Sequence, residues 1–348
     1  MSFGSVGVQT IGICGMGGIG KTTLAKAAYN EFSDRFEGTS FLENFGEYSM
    51  TPDGKVHLKR KLLSDIIKRY DTECKNMDHE VKIRFRNKRV LVVIDGVEDI
   101  KQFNSVAIDL TCFGPGSRIL ITTRNKHLLE QLDVANIYSP KELNYDESVG
   151  LVSWLAFRTE KPPEGFGELS KDLVRYCGGL PLAVEVLAAF LYKRSLSEWE
   201  STLEQLKQIP DADIQAKLQV SFDALDAVQK DTFLDISCFF IGMDEDYVSC
   251  ILDGCKLYPA IGLSVLKERC LITVSDNKLI MHDLLRDMGR QIVRGPSRNN
   301  CEGWSRLWDP DDVIDVLENY NGTEAIEGLS LKAEGTPVEN LEVEHFQT

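Results

Sequence analysis

The stretch Gly15-Met16-Gly17-Gly18-Ile19-Gly20-Lys21-Thr22-Thr23 restricts the fold of this chain more than any other. It fits the pattern G-x-x-x-x-G-K-[ST], and its flanks suit that pattern. Thr10-Ile11-Gly12-Ile13-Cys14 is an apolar run of the kind that forms a buried strand, and residues 21–28 have the make-up of a helix start. A strand that passes into a helix through glycines presents successive backbone N–H groups at the positive end of the helix, where a phosphate can be held. Where the loop comes nearest its ligand there is no room for a side chain. Gly15, Gly17, Gly18, Ile19 and Gly20 supply the backbone of such a cradle. Lys21 then reaches the β-phosphate, and the γ-phosphate where one is present. The Thr22 hydroxyl ligates Mg2+, and Thr23 bonds a further phosphate oxygen. Nucleotide binding is the expectation.

The chain has 348 residues, enough for two or three domains with a core each. No apolar run reaches the roughly 18 residues that span a bilayer, and the first residues have neither the basic region nor the apolar core of a signal peptide. Membrane contact is therefore not expected. Nine cysteines, an odd number without framework spacing, fit reduced thiols in a cytoplasmic or nuclear compartment. Cys250 and Cys255 are the closest pair, but no second Cys or His pair completes a zinc site. The net charge of −15 opposes a general nucleic-acid surface, since phosphate contacts need clustered Lys and Arg.

After the first helix, Thr39-Ser40-Phe41-Leu42-Glu43-Asn44 has the pattern of a second strand. Residues 56–70 suit a helix with Leu58, Leu62, Leu63, Ile66 and Ile67 on one face. Arg89-Val90-Leu91-Val92-Val93-Ile94 is the most apolar strand candidate and ends in Asp95; such a run is buried on both faces, as in parallel sheets. An acid at the carboxyl end of that strand lies in the crevice where ligands bind, so Asp95 is the second magnesium residue (Walker B), the plainer alternative being an acid that caps a turn. Ser117-Arg118-Ile119-Leu120-Ile121-Thr122-Thr123-Arg124 repeats the theme with polar residues and an arginine at its end. Arg124 can read a γ-phosphate through charge-assisted bonds or serve as a surface ion-pair partner.

From Asn144 the apolar period becomes helical. Helices are expected over 146–157, over 169–177 up to Gly178-Gly179, and over 181–192 from Pro181, the last apolar nearly all round and central to a small bundle. Ser197-Glu198-Trp199-Glu200 fits a capping box that opens a fourth helix, and Pro210-Asp211-Ala212-Asp213 a linker. Helices over 214–224, 227–240, 247–252 and 258–269 precede a hairpin, Leu271-Ile272-Thr273-Val274 and Lys278-Leu279-Ile280-Met281 around Ser275-Asp276-Asn277, and then a helix over 284–293. That order suggests a winged-helix module. Asp231, Asp235, Asp244, Glu245 and Asp246 on its candidate helices favour protein packing over DNA. The tail from Trp304 to Thr348 is acidic and ends without an evident stop, as a piece of a longer chain would.

In this order the motifs resemble the NB-ARC region of plant intracellular immune receptors, the nucleotide-binding leucine-rich-repeat proteins. The resemblance is carried by residues 15–23, Phe41-Leu42-Glu43-Asn44, Val92-Val93-Ile94-Asp95, residues 116–124, Gly179-Leu180-Pro181-Leu182, residues 233–240 and Met281-His282-Asp283. Residues 233–240, Ser305-Arg306-Leu307-Trp308 and residues 322–328 resemble the class with an N-terminal Toll/interleukin-receptor domain.

The resemblance implies a multidomain α/β and α architecture. An AAA-like P-loop NTPase domain with a parallel sheet (1–142) precedes a helical domain (143–212), a winged-helix domain (213–303) and an acidic tail (304–348) leading towards leucine-rich repeats that these residues do not contain. It implies a switch in which ADP holds the domains closed as a monomer, and exchange for ATP with Mg2+ opens them for homo-oligomerisation and defence signalling. Pro181 then lines the nucleotide cleft and His282 reaches the β-phosphate of ADP, with Asp283 capping the following helix. From its own surroundings His282 equally suits a packed residue at the end of a wing strand.

Two departures stand out. The family places a second acid directly after the Walker B aspartate, and here that position is Gly96, which neither accepts a proton nor orients water. Glu98 lies two residues on, and the strand end has to bend to present it. At most a slow ATPase is expected, with magnesium binding through Asp95 retained. Only residues 1–9 precede the first strand where the family has a segment over the adenine, so looser nucleotide binding is expected. The competing functions are an ATPase with steady turnover and a DNA-binding regulator that uses the winged helix.

Overall fold

The computed structural model describes residues 7–67, 85–106, 112–208, 211–295, 303–318 and 325–330. The chain divides into two compact units, Met1–Leu203 with Glu268–Cys270, and Glu204–Lys267 with Leu271–Thr348.

The first unit is built on β1 (Gln9–Cys14), β2 (Gly38–Leu42), β3 (Val90–Val97), β4 (Arg118–Thr123) and β5 (Asn136–Tyr138). Their order across the sheet is β2-β3-β4-β1-β5, and every neighbouring pair is parallel. Parallel neighbours need crossovers. Between the strands run α1 (Lys21–Phe32), α2 (Phe45–Ser49), α3 (Pro52–Ile66), α4 (Ile100–Val106) and α5 (Lys126–Gln131). In β3, Val90, Val92 and Ile94 pack with Leu58, Leu62 and Leu63 of α3, while Leu91 and Val93 pack with Ile13, Ala25 and Leu120. Alternate residues thus feed separate cores on the two faces, the burial that an unbroken apolar strand requires.

Several boundaries differ from expectation, among them that of β3, which runs past Asp95 to Val97. Asn44, expected inside the second strand, is left-handed (φ 50°) and turns the chain into α2, which buries Phe45. Helix α3 begins at Pro52 rather than at 56, because the Thr51 hydroxyl accepts the Gly54 N–H at 3.1 Å and proline suits the first helical position. Residues 68–70 of the expected helix lie outside the described residues.

The same unit continues into α6 (Tyr145–Phe157), α7 (Gly167–Cys177), α8 (Pro181–Phe190) and the first part, up to Leu203, of α9 (Leu196–Gln208). A reciprocal box between Asn144 and Glu147 opens α6, and α7 stops at Gly178. The box that opens α9 is formed by Ser195 with Glu198, not by Ser197: Ser195 N–H donates to Glu198 at 2.7 Å. Buried Trp199 stacks on Phe157 (5.2 Å) and donates its indole N–H to the Leu191 carbonyl (3.2 Å). Leu182, Ala183, Val184, Leu187 and Ala188 of α8 are buried, but Phe190 is 53% exposed. The helix is therefore not apolar-buried to its end: Phe190 sits on its last turn under the Arg194 guanidinium.

The second unit contains α10 (Ala212–Asp223), α11 (Ala227–Asp235), α12 (Glu245–Gly254) and, up to Lys267, α13 (Pro259–Glu268). A hairpin of β6 (Thr273–Ser275) and β7 (Lys278–Ile280) follows, then α14 (Asp283–Arg294). Asp276 and Asn277 both take positive φ, as a two-residue hairpin turn demands. Asp211, expected in a linker, is the N-cap of α10. The expected helix 227–240 changes to a π-type turn over Ile236–Phe240, where Arg290 Nε satisfies the Ser237 carbonyl at 3.1 Å.

Part of the acidic tail folds as well: β8 (Arg306–Leu307), α15 (Pro310–Glu318) and β9 (Gly328–Leu329), with β8 and β9 parallel. Buried Arg306 binds Asp235 and Asp231 of α11 and Glu327, and Trp308 lies beneath Arg290 and Arg294 of α14. Among the described residues no helix is long and apolar enough to cross a membrane.

Candidate functional site

β1 delivers the chain at buried Cys14 to the glycine loop, and α1 leaves it at Lys21. Gly18 and Gly20 have φ of +82° and +89°, which turns the loop back over the helix end. The N-cap of α1 is Gly20, without a side-chain acceptor, and the first turn holds no acid. Its leading N–H groups therefore have no side-chain cap, the arrangement that accepts an anion.

Helix α8 is anchored to the same loop. Leu182 N–H donates to Gly18 O at 3.1 Å, and a Cβ on Gly18 would lie 2.7 Å from the Leu182 Cβ. Pro181, the first residue of α8, is thereby held beside the cradle. Lys21 Nζ donates to Gly15 O and Met16 O, each at 2.8 Å, so the ammonium folds across the loop. Burial, and next the Arg124 guanidinium, lower the Lys21 pKa to about 8. An ammonium held at that cost gains more from a phosphate than an exposed one does.

β4 separates β1 from β3, yet the end of β3 meets the start of α1. Thr22 Oγ1 donates to Asp95 Oδ1 at 2.9 Å and lies 3.1 Å from Oδ2. Thr122, on the intervening strand, donates its hydroxyl to Asp95 Oδ1 at 2.6 Å and accepts the Gly96 N–H at 2.9 Å. Asp95 is only 5% exposed, and this relay aims its carboxylate at Thr22. Thr122 was not singled out in sequence; the available signal was a polar pair closing an otherwise apolar strand. A hydroxyl and a carboxylate side by side are hard oxygen donors of the kind Mg2+ takes. Thr23 is exposed, one residue further along α1.

The bend that Glu98 requires is present. The β3–β4 register shifts between Ile94 and Val97, and Gly96 has φ +79°, a left-handed backbone that favours glycine. Glu98 emerges with Oε1 3.8 Å from Arg124 Nε. Its N–H donates to Gln102 Oε1 (3.1 Å), and Asn125 Nδ2 donates to its carbonyl (3.4 Å). The loop, Lys21, Thr22, Asp95, Arg124 and Pro181 thus all belong to the first unit.

His282 belongs to the second unit. There it is the N-cap of α14, its Nδ1 accepting the Leu284 N–H at 3.1 Å. Asp283, expected to be the cap, is instead the first helical residue and pairs with Arg286 at 2.8 Å. One residue of register separates the two roles.

Residues 3–161 match the NB-ARC domain, and residues 226–297 match the winged-helix domain described as that of Disease resistance protein Roq1-like proteins. Disease resistance protein RUN1 of Vitis rotundifolia is 42% identical over 93% of this chain. TMV resistance protein N of Nicotiana glutinosa is 38% identical over 94%. The chain spans 25% and 29% of the lengths of those two relatives. A Walker-type ATPase of Pyrococcus abyssi, 14% identical, superposes with a TM-score of 0.50 over 81% of this chain and 91% of its own, a likeness of fold alone.

Proposed function

We propose that this chain, which belongs with the plant disease resistance proteins through its NB-ARC domain (residues 3–161) and its Roq1-like winged-helix domain (residues 226–297), is their ADP/ATP-dependent switch. The observation that carries this reading is the bond from Thr22 to Asp95, made beside a lysine lying across a glycine loop. Lys21 and the N–H groups of the loop bind the phosphates, and Arg124 reads a γ-phosphate. Thr22 and Asp95 would hold Mg2+, which supplies charge neutralisation to the phosphate oxygens when bound. Gly96 offers no carboxylate beside Asp95, so turnover is slow at most.

In the resting form the bound nucleotide is ADP, and the chain is monomeric. Exchange for ATP opens it for self-association and defence signalling, with a Toll-type domain and leucine-rich repeats as partners in the intact receptor. The setting is the cytoplasm or nucleus. His282 contributes a diphosphate contact in the resting form only, a differential contact of the kind that shifts a two-state equilibrium. Moving such an equilibrium from 1:99 to 99:1 takes about 5.5 kcal/mol. One hydrogen bond to a charged group gives about 1.5–3 kcal/mol, so packing has to supply the rest.

Lys21→Ala tests the reading. On the value of a hydrogen bond to a charged group, ADP should bind about 10- to 100-fold more weakly. Unchanged ADP affinity would remove the loop from the account.

A further inference from the structure

We propose that Glu98 sets the preference of this site between nucleoside di- and triphosphates, by holding Arg124 until a γ-phosphate takes the guanidinium from it. The inference rests on the nucleotide-binding reading and deepens it. Four observations carry it.

The bulge in β3 and the positive φ of Gly96 carry the chain out of the sheet just before Glu98. The Glu98 backbone is then fixed at both ends, by Gln102 on its N–H and by Asn125 on its carbonyl. Asn125 directly follows Arg124 and caps α5, so the segment that positions Glu98 and the segment that carries Arg124 are tied to each other. Finally, Glu98 Oε1 faces Arg124 Nε at 3.8 Å, with both side chains partly shielded (32% and 23% exposed).

A guanidinium binds carboxylate and phosphate through the same planar set of donors. Arg124 therefore chooses between Glu98 and a third phosphate. The loop and Lys21 serve di- and triphosphates alike, but only a triphosphate has to displace Glu98. The competition consequently falls on ATP and leaves ADP untouched, which gives the site a bias towards the diphosphate. It also assigns Glu98 to Arg124 rather than to the water-activating place that Gly96 leaves without a carboxylate. Glu98 is in this sense a positioning residue, acting through Arg124.

The test uses the 348-residue chain with magnesium, and titration calorimetry with ADP and with ATP on the wild type, Glu98→Gln, Arg124→Gln and the double variant. Glu98→Gln keeps the size and the polar shape of the side chain and removes its charge. It should tighten ATP about twofold to fivefold, the range set by a partly exposed ion pair, and leave ADP unchanged. In the Arg124→Gln background the same substitution should have no effect on either nucleotide. A merely structural role would move both affinities together. An unchanged ATP-to-ADP ratio in Glu98→Gln overturns the proposal, as does an equal shift with Arg124 absent. Failure of the wild type to bind either nucleotide overturns the nucleotide-binding reading itself, and this inference with it.

Discussion

Replacing Gly18 by alanine probes how the phosphate loop is joined to the helices behind it. The new Cβ would lie 2.7 Å from the Leu182 Cβ and 2.8 Å from its Cδ2. A rotamer change removes the second contact and not the first, because the Leu182 Cβ is fixed by the backbone. That backbone is itself bonded to Gly18 O at 3.1 Å, so the loop and α8 must separate for the methyl group to fit. Overpacking of this kind costs about 1–3 kcal/mol. The φ of +82° adds the left-handed penalty of a residue with a side chain, about 1–2 kcal/mol. The total is about 2–5 kcal/mol, together with weaker ADP binding as the cradle opens.

The two contributions can be separated. Leu182→Gly removes the obstructing Cβ, so in that background Gly18→Ala should cost only the backbone share, about 1–2 kcal/mol. Urea unfolding, followed by tryptophan fluorescence in the wild type and the three variants, measures both numbers. A Gly18→Ala protein within about 0.5 kcal/mol of wild type would refute the reasoning, since that is the scatter of an ordinary surface change. Equal damage in both backgrounds would show that Leu182 is not what the methyl group meets.

The depressed Lys21 pKa has a sign that can be checked. A bound phosphate favours the ammonium, so ADP affinity should be full below about pH 8, where Lys21 is charged without help, and should fall as pH rises through that value. Calorimetry in buffers of different ionisation enthalpy should accordingly find protons taken up on ADP binding near pH 8–9, and pH-independent binding from 7 to 10 would contradict the assignment. At the start of α14, His282→Ala removes the side-chain acceptor for Leu284 N–H and should cost about 1 kcal/mol. Asp283→Ala removes an exposed pair with Arg286 and should cost about 0.5 kcal/mol or less; urea midpoints in the opposite order would return the cap to Asp283.

What could be read in sequence is what local chemistry decides. The glycine loop, the two-sided apolar strand that carries Asp95 and the wing hairpin around Asp276-Asn277 each announce themselves within ten residues, and each is present. Even so, β3 runs on to Val97, and the hairpin strands cover Thr273–Ser275 and Lys278–Ile280 rather than 271–274 and 278–281. Misplaced boundaries trace to caps with competing candidates. Ser195 and Ser197 are both good N-caps, and the choice fell to the residue that Glu198 could reach back to. Asp283 is the better cap by residue preference, yet the chain puts His282 in the non-helical position and uses its ring nitrogen. Contacts between distant segments were not legible at all. Thr122 acquires its role only when β4 settles beside β3, and the SRLW segment of the tail folds because Arg306 finds three carboxylates, two of them more than 70 residues upstream.

The central claim is that residues 15–23, closed by Asp95, hold a nucleotide. Denaturing the purified chain and identifying what it releases by chromatography tests this most directly. The account predicts ADP at close to one molecule per chain, and its loss in Lys21→Ala. A chain that releases no nucleotide, and that retains none after incubation with ADP and magnesium, would contradict it.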